Sequence, residues 1–321
     1  MQELKNYGLS KLLGIDYPII MAPMFLVSDE KMLIAASKVG ISGCVPALNY
    51  RTTTELEKAI LTLKSQAKPF GINLIVNKSN FRYEEQLELC CNLGVDYIIT
   101  SLGNPKETIE KAHAAGIKVF CDVTDLEYAK KVEQLGCDAV IAVNNQAGGH
   151  AGNISPEELI KTLKQHIGIP IISAGGVGNY DTLKQKLDWG ADGVSVGSIF
   201  IASIEAPVSQ DYKQAIVDYK AHDIVMTTKL SGTPCTVIKT PYIEQIGTEQ
   251  NGIERFLNRN KKIKKWMKAF TFIKGMKRLQ NAAFGATYKT VWCAGPTIEF
   301  VSEIKPISEI VSQLTTPEND Q

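Results

Sequence analysis

Eight short apolar runs rich in β-branched residues alternate with helical stretches along this chain, and that alternation constrains its fold most tightly. The runs are Pro18–Ala22, Ile41–Val45, Phe70–Val76, Val95–Thr100, Lys118–Cys121, Ala139–Val143, Pro170–Ala174 and Gly193–Val196. Runs of this kind suit parallel strands covered on both faces. Between them, Thr54–Leu63, Tyr83–Leu93, Pro105–Ala115, Asp125–Leu135, Ser155–His166 and Tyr180–Trp189 place apolar residues at i, i+3 and i+4. Asp125 and Ser155 suit helix N-caps, with Pro156 at a first helical position. Gly40, Gly94, Gly116, Gly136 and Gly190 stand where helices should stop. Strand and helix alternating eight times predict an α/β chain folded as a (β/α)8 TIM barrel rather than an open doubly wound sheet. The barrel is expected over residues 1–205. A helical, basic appendage over the barrel mouth should occupy 206–295, and 296–321 should return to the barrel before a polar tail.

Three of the strands empty into glycine-rich loops. After Ala139–Val143 comes Asn144-Asn145-Gln146-Ala147-Gly148-Gly149-His150-Ala151-Gly152. After Pro170–Ala174 come Gly175 and Gly176, and after Gly193–Val196 come Gly197 and Ser198. Small residues at successive strand ends expose backbone N–H groups that can cradle a phosphate. In a TIM barrel the loops after the seventh and eighth strands are the frequent phosphate site. No G-x-G-x-x-G follows the first strand, which argues against a Rossmann dinucleotide site. His150, in a glycine loop on the catalytic face of the barrel, is the titratable group best placed for chemistry near neutral pH. His113 and His166 fit helix C-terminal ends, where they meet the dipole.

Composition narrows the partners. The 321 residues carry a formal net charge of +1, which predicts no general attraction to nucleic acid. No apolar run approaches the roughly 20 residues of a membrane span, and Met1–Lys5 opens no apolar leader. Seven cysteines without tight pairing suggest reduced thiols and a cytoplasmic protein. With four histidines and no Cys-x-x-Cys or His-Glu-x-x-His spacing, no metal site is expected. A homodimer is left open.

Several segments together resemble the nitronate monooxygenase (2-nitropropane dioxygenase) family. They are Pro18–Met24, Phe70–Leu74, the Ala-Gly-Gly-His loop, Ser173–Gly176, Gly190–Ser198 and Trp292–Gly295, in order along the chain. That superfamily also holds the FMN-dependent enoyl-acyl carrier protein reductase II and NADH:quinone reductases. The resemblance implies non-covalent FMN and oxidation of alkyl nitronates by O2 to carbonyl compounds and nitrite. It also implies site residues. Ala22, Pro23 and Met24 would lie along the isoalloxazine, and Asn73 would hydrogen-bond the ring edge. Gly148 and Gly149 would pass close to the flavin, while Gly175, Gly176, Gly197 and Ser198 would hold the phosphate. His150 matches the family's catalytic histidine. Two positions depart from the family: Gln146 stands where many members have an acid, and Asp122 where some have a lysine. A reductase fed by NAD(P)H is therefore an alternative, and a flavin-free phosphate-binding barrel is a remote one.

Beyond the barrel, Arg255–Ile298 holds no acidic residue, while Lys261, Lys262, Lys264, Lys265 and Lys268 crowd together. Ile263, Trp266, Met267, Phe270, Ile273 and Met276 fall on one helical face. The expectation is an amphipathic helix with a solvated basic side; attraction of an anionic substrate or partner is the sharper reading.

Overall fold

The computed structural model describes residues 4–77, 80–228, 234–249 and 291–317. The basic helix expected over Arg255–Arg278 lies outside the described residues. Strands β1 (Ile19–Met21), β2 (Ser42–Pro46), β3 (Phe70–Ile75), β4 (Tyr97–Ser101), β5 (Lys118–Val123) and β6 (Ala139–Val143) run in sequence around a closed barrel. After the short β7 (Gly149–His150), which stands outside it, β8 (Ile171–Ala174) and β9 (Gly193–Val196) complete the ring. Every neighbouring pair is parallel, and β9 returns to β1 with Ile20 opposite Ser195. The eight apolar runs are the eight barrel strands; Ala139–Val143 and Gly193–Val196 coincide with theirs and the other six differ by a residue or two at one or both ends. The chain is a TIM barrel.

Local signals place the connecting helices. Asp125 accepts from Tyr128 N at 2.8 Å and Ser155 from Glu158 N at 3.3 Å, each closing an N-terminus as expected. The five glycines expected to end helices all adopt positive φ, between 64° and 109°. Apolar residues on the inner faces of these helices, such as Leu56, Ile60 and Leu63, are buried against the strands.

Inside the barrel, alternation along each strand points one set of side chains inward. Ile20, Cys44, Tyr97, Ile99, Phe120, Ile141 and Ile172 form that filling, with Leu9 and Ile15 closing it from the N-terminal side. Tyr97 and Phe120 stack with centroids 5.0 Å apart. The Tyr97 hydroxyl donates to Gly43 O at 3.0 Å and pairs with Ser42 Oγ at 2.9 Å, so the phenol is buried with its polar end satisfied. A side chain at Gly71 would occupy the place of that ring, because its Cβ would fall 2.1 Å from Tyr97 Cε2.

The appendage differs from expectation. Within 206–295 the described residues include a helix, Gln210–Asp218, but also strands β10 (Ile224–Thr227) and β11 (Cys235–Ile238). These pair antiparallel with each other, and β11 pairs with β7, giving a three-stranded sheet at the barrel mouth. The described part of the appendage thus carries a small sheet besides its helices, and His150 belongs to a short strand rather than a free loop. Two residues are too short to show period-two alternation, and that hides β7 from sequence reading. The C-terminal helix Ile307–Thr315 packs on helices Glu30–Lys38 and Tyr180–Asp188 of the barrel. Among the described residues no helix is long and apolar enough to cross a membrane.

Gly71→Ala should therefore lower stability by about 1–3 kcal/mol through overpacking against Tyr97. Urea unfolding checks this, and an unchanged midpoint would mean the barrel interior is not packed as described.

Candidate active site

The C-terminal ends of all eight barrel strands border one cavity of about 660 Å³. Ala22, Pro23, Met24, Asn73, Gly148, Gly149, His150, Gly175, Gly176, Gly197 and Ser198 all line it. Residues spread over 177 positions of chain are brought together at the barrel mouth. Gln146 and Asp122 line it too.

The His150 loop is braced from three directions. Asn144, fully buried, receives Gln146 N on Oδ1 at 2.8 Å and donates Nδ2 to Gly175 O at 3.0 Å. It thereby ties the end of β6 to the end of β8. Thr236 on β11 donates its hydroxyl to Ala147 O at 2.6 Å and lies 3.3 Å from Gly149 O. Cys235 is the register partner of His150. Neither Asn144 nor Thr236 was singled out by sequence reading. A polar residue ending an apolar strand was the signal for Asn144; Thr236 carried none, because its contact lies 89 residues away.

Gly148 is required by the protein's own packing. A Cβ there would sit 2.7 Å from Ser198 Oγ and 2.9 Å from Gly295 N. Ser198 Oγ accepts from Gly295 N at 2.8 Å, which seats the Trp292–Gly295 segment and leaves the hydroxyl hydrogen for another acceptor. Gly178 N and Asn179 N are both committed to Thr182 Oγ1 at 3.0 Å, so the following helix closes its own N-terminus. The amides of Gly176, Val177 and Ser198, all buried residues of the cavity wall, donate to no protein group among the described residues. Buried N–H groups are rarely left orphaned.

A polar chain crosses the opposite wall. Asn73 Nδ2 donates to Ile99 O at 3.1 Å and to Ser101 Oγ at 2.8 Å; Ser101 in turn donates to Asp122 Oδ2 at 2.5 Å. With both amide hydrogens engaged, Asn73 has only its carbonyl oxygen to offer a ligand. Burial pushes the Asp122 carboxyl up to about 6, partly opposed by the Ser101 hydrogen bond. His150 is exposed at the cavity mouth, and the desolvation it meets there lowers its pKa below the ordinary value. The site thus holds an acid and a base whose environments move their titrations toward each other.

Backbone strain collects at the same rim. Leu26 and Leu102 adopt φ of 59° and 58°, unusual for a bulky side chain. Leu102 lines the cavity, and Leu26 sits between Phe25 and Val27, which do so. Asn49 holds the first of these loops, accepting from Leu26 N at 2.8 Å and donating to Met24 O and Ser28 O.

Comparison with known proteins agrees with this architecture. The chain is 28% identical over 240 residues to 5-hydroxy-7a-methyl-1-oxo-octahydro-1H-indene-4-carboxyl-CoA dehydrogenase of Rhodococcus jostii, covering 74% of this chain and 67% of that one. It is 27% identical over 294 residues to a probable nitronate monooxygenase of Staphylococcus haemolyticus, covering 77% and 82%. The solved structure of FabK from Thermotoga maritima superposes with a TM-score of 0.84 at 28% identity, covering 96% of this chain and 94% of that one. Nitroalkane oxidase from Streptomyces ansochromogenes shares the fold, with a TM-score of 0.79 at 21% identity over 95% and 96%. The family model for nitronate monooxygenase matches residues 6–317, so the chain is an oxidoreductase that belongs to the nitronate monooxygenase family.

Proposed function

We propose that this enzyme binds FMN in the barrel-mouth cavity and oxidises alkyl nitronates with O2 to carbonyl compounds and nitrite. The observation that carries the reading is the trio of unpaired buried amides at Gly176, Val177 and Ser198. A buried donor left unsatisfied costs about 1–3 kcal/mol, and the oxygens of a phosphate would satisfy all three. Gly197 supports it independently. A Cβ there would meet nothing closer than Ala22 Cβ at 3.5 Å. Packing within the protein does not call for glycine there, whereas a ligand needs the space. The cavity volume of about 660 Å³ also falls in the roughly 300–1,000 Å³ range of cofactor sites.

In this reading Gly175, Gly176, Gly197 and Ser198 hold the phosphate, and Ala22, Pro23 and Met24 lie along the ring. Asn73 presents its carbonyl oxygen to the ring edge, and Gly148 and Gly149 pass beside it. Bound there, FMN would supply the redox chemistry, accepting electrons from the substrate and passing them to O2. His150, kept neutral near pH 7 by its lowered pKa, takes the α-proton of a neutral nitroalkane at a ring nitrogen. With a preformed nitronate it donates its N–H to an oxygen of the anion. Seven free thiols fit a reducing, cytoplasmic setting. A second reading, an NAD(P)H-dependent reductase of enoyl thioesters, is favoured by the match to FabK. Anaerobic mixing with propionate 3-nitronate, NADH and NADPH separates the two: rapid bleaching by a nicotinamide alone would replace the nitronate reading. A protein purified without flavin colour would instead return the flavin-free barrel.

Four outcomes are expected. Gly197→Val should fold normally and purify with little FMN, read from the absorbance spectrum; full flavin content would mean the phosphate lies elsewhere. His150→Asn should retain FMN but lose about 10²–10⁴-fold in kcat/KM for a neutral nitroalkane, and less for its nitronate. In the parent enzyme the nitroalkane rate should fall with acid at an apparent pKa below about 6.5, because desolvation favours the neutral imidazole. Finally, as pH rises through about 6, Asp122 becomes anionic and opposes an anionic substrate. KM for the nitronate should then climb roughly 10-fold, and Asp122→Asn should flatten the climb. An unchanged profile in that variant would remove Asp122 from substrate binding.

A further inference from the structure

Cys235 and Cys293 face each other in the cavity wall, Sγ to Sγ at 3.8 Å. They are 58 positions apart, and the backbone dictates their meeting. Val237 and Cys293 form an antiparallel bridge, and Ile238 N donates to Trp292 O at 2.9 Å. Cys235 lies two residues from Val237 on β11, so both point to one face of that strand. On its other side Cys235 is the register partner of His150. Tyr212 holds the second cysteine: its hydroxyl donates to Cys293 O at 2.7 Å, and its ring stacks on Trp292 at 5.7 Å. Both backbones are therefore fixed while the sulfurs touch. A disulfide length of about 2.05 Å is reached by closing the gap by roughly 2 Å.

We propose that Cys235 and Cys293 form a dithiol modification site at the cavity, which a hydroperoxide converts reversibly to a disulfide. Cys293 is half-buried and Cys235 buried, so Cys293 reacts first. Its thiolate attacks a peroxide oxygen; an S–O bond forms, the O–O bond breaks, and the departing hydroxide takes the proton that Cys293 released. Cys235 then attacks the sulfenic sulfur; the S–S bond forms, the S–O bond breaks, and the leaving hydroxide takes the Cys235 proton. The two thiols lose two electrons and two protons, and one hydrogen peroxide becomes two waters. The contact with Cys293 and burial push the Cys235 thiol up, which leaves Cys293 to meet the peroxide first. The bond would tie β11, and with it the strand that carries His150, to the segment packed on Ser198 and Gly148. The site stands on geometry independent of whichever substrate the cavity takes.

The test treats the full-length protein as purified with hydrogen peroxide, blocks remaining thiols with iodoacetamide, and maps peptides without reductant. One cross-linked pair joining Cys235 to Cys293 is expected, with a loss of two hydrogen masses per chain and recovery of both thiols in dithiothreitol. Cys293→Ser should leave Cys235 alkylatable at the same dose. Cys235→Ser should stop at a sulfenic acid on Cys293, trapped by dimedone. The proposal falls if both residues stay alkylated at a dose that oxidises the half-buried Cys91. It falls equally if Cys293 reaches sulfinic acid beside an intact Cys235 thiol. A cross-link joining the buried Cys121 and Cys137 instead would also overturn it.

Discussion

Everything at the active site depends on the pairing of the first barrel strand with the last. When β1 lies parallel to β9, with Met21 opposite Val196, the sheet has no edge and every strand points the same way. Ala22 N then donates to Val196 O at 2.8 Å, which sets Ala22 beside Gly197 at the rim. Parallel closure forces all eight carboxyl ends onto one face, so short loops from distant parts of the chain become neighbours there. The interior below is filled by Tyr97, Phe120 and their aliphatic neighbours. The cavity therefore has a solid floor, and its chemistry is confined to the mouth.

The electrostatics of that mouth follow from three adjacent strands. Asn73, Ser101 and Asp122 stand near the ends of β3, β4 and β5, and each hydrogen-bonds the next. Such a chain orients the carboxylate without neutralising it, and burial leaves it half-protonated near pH 6. Across the mouth, desolvation lowers the pKa of His150 below its ordinary value. The Asp122 carboxylate therefore adds a negative charge to the cavity as pH rises through about 6.

The barrel was legible because its signals are local and repeated. Apolar runs, N-caps such as Asp125 and stop glycines such as Gly136 each act within one turn or strand. The glycines and His150 were legible as a set through family resemblance, and the barrel brings them to one cavity. What escaped was non-local. The β10-β11-β7 sheet joins residues about 90 positions apart, and β7 has only two residues to announce it. The role of Gly148 as a contact for Ser198 and Gly295 is equally invisible along the chain, since a glycine's function depends on what approaches it. The meeting of Cys235 with Cys293 belongs to the same class.

The clamp of Thr236 on the His150 loop also sets an order in time. Ala147 leaves the ribosome 89 residues before the hydroxyl that will hold it, a wait of roughly 4–18 s at ordinary synthesis rates. The eight barrel strands have all been made by Val196, so the sheet can close before its histidine has a fixed address. A newly made barrel would thus pass through a stage with its floor built and its working loop still unfastened, and only the later strand fastens the loop that carries His150.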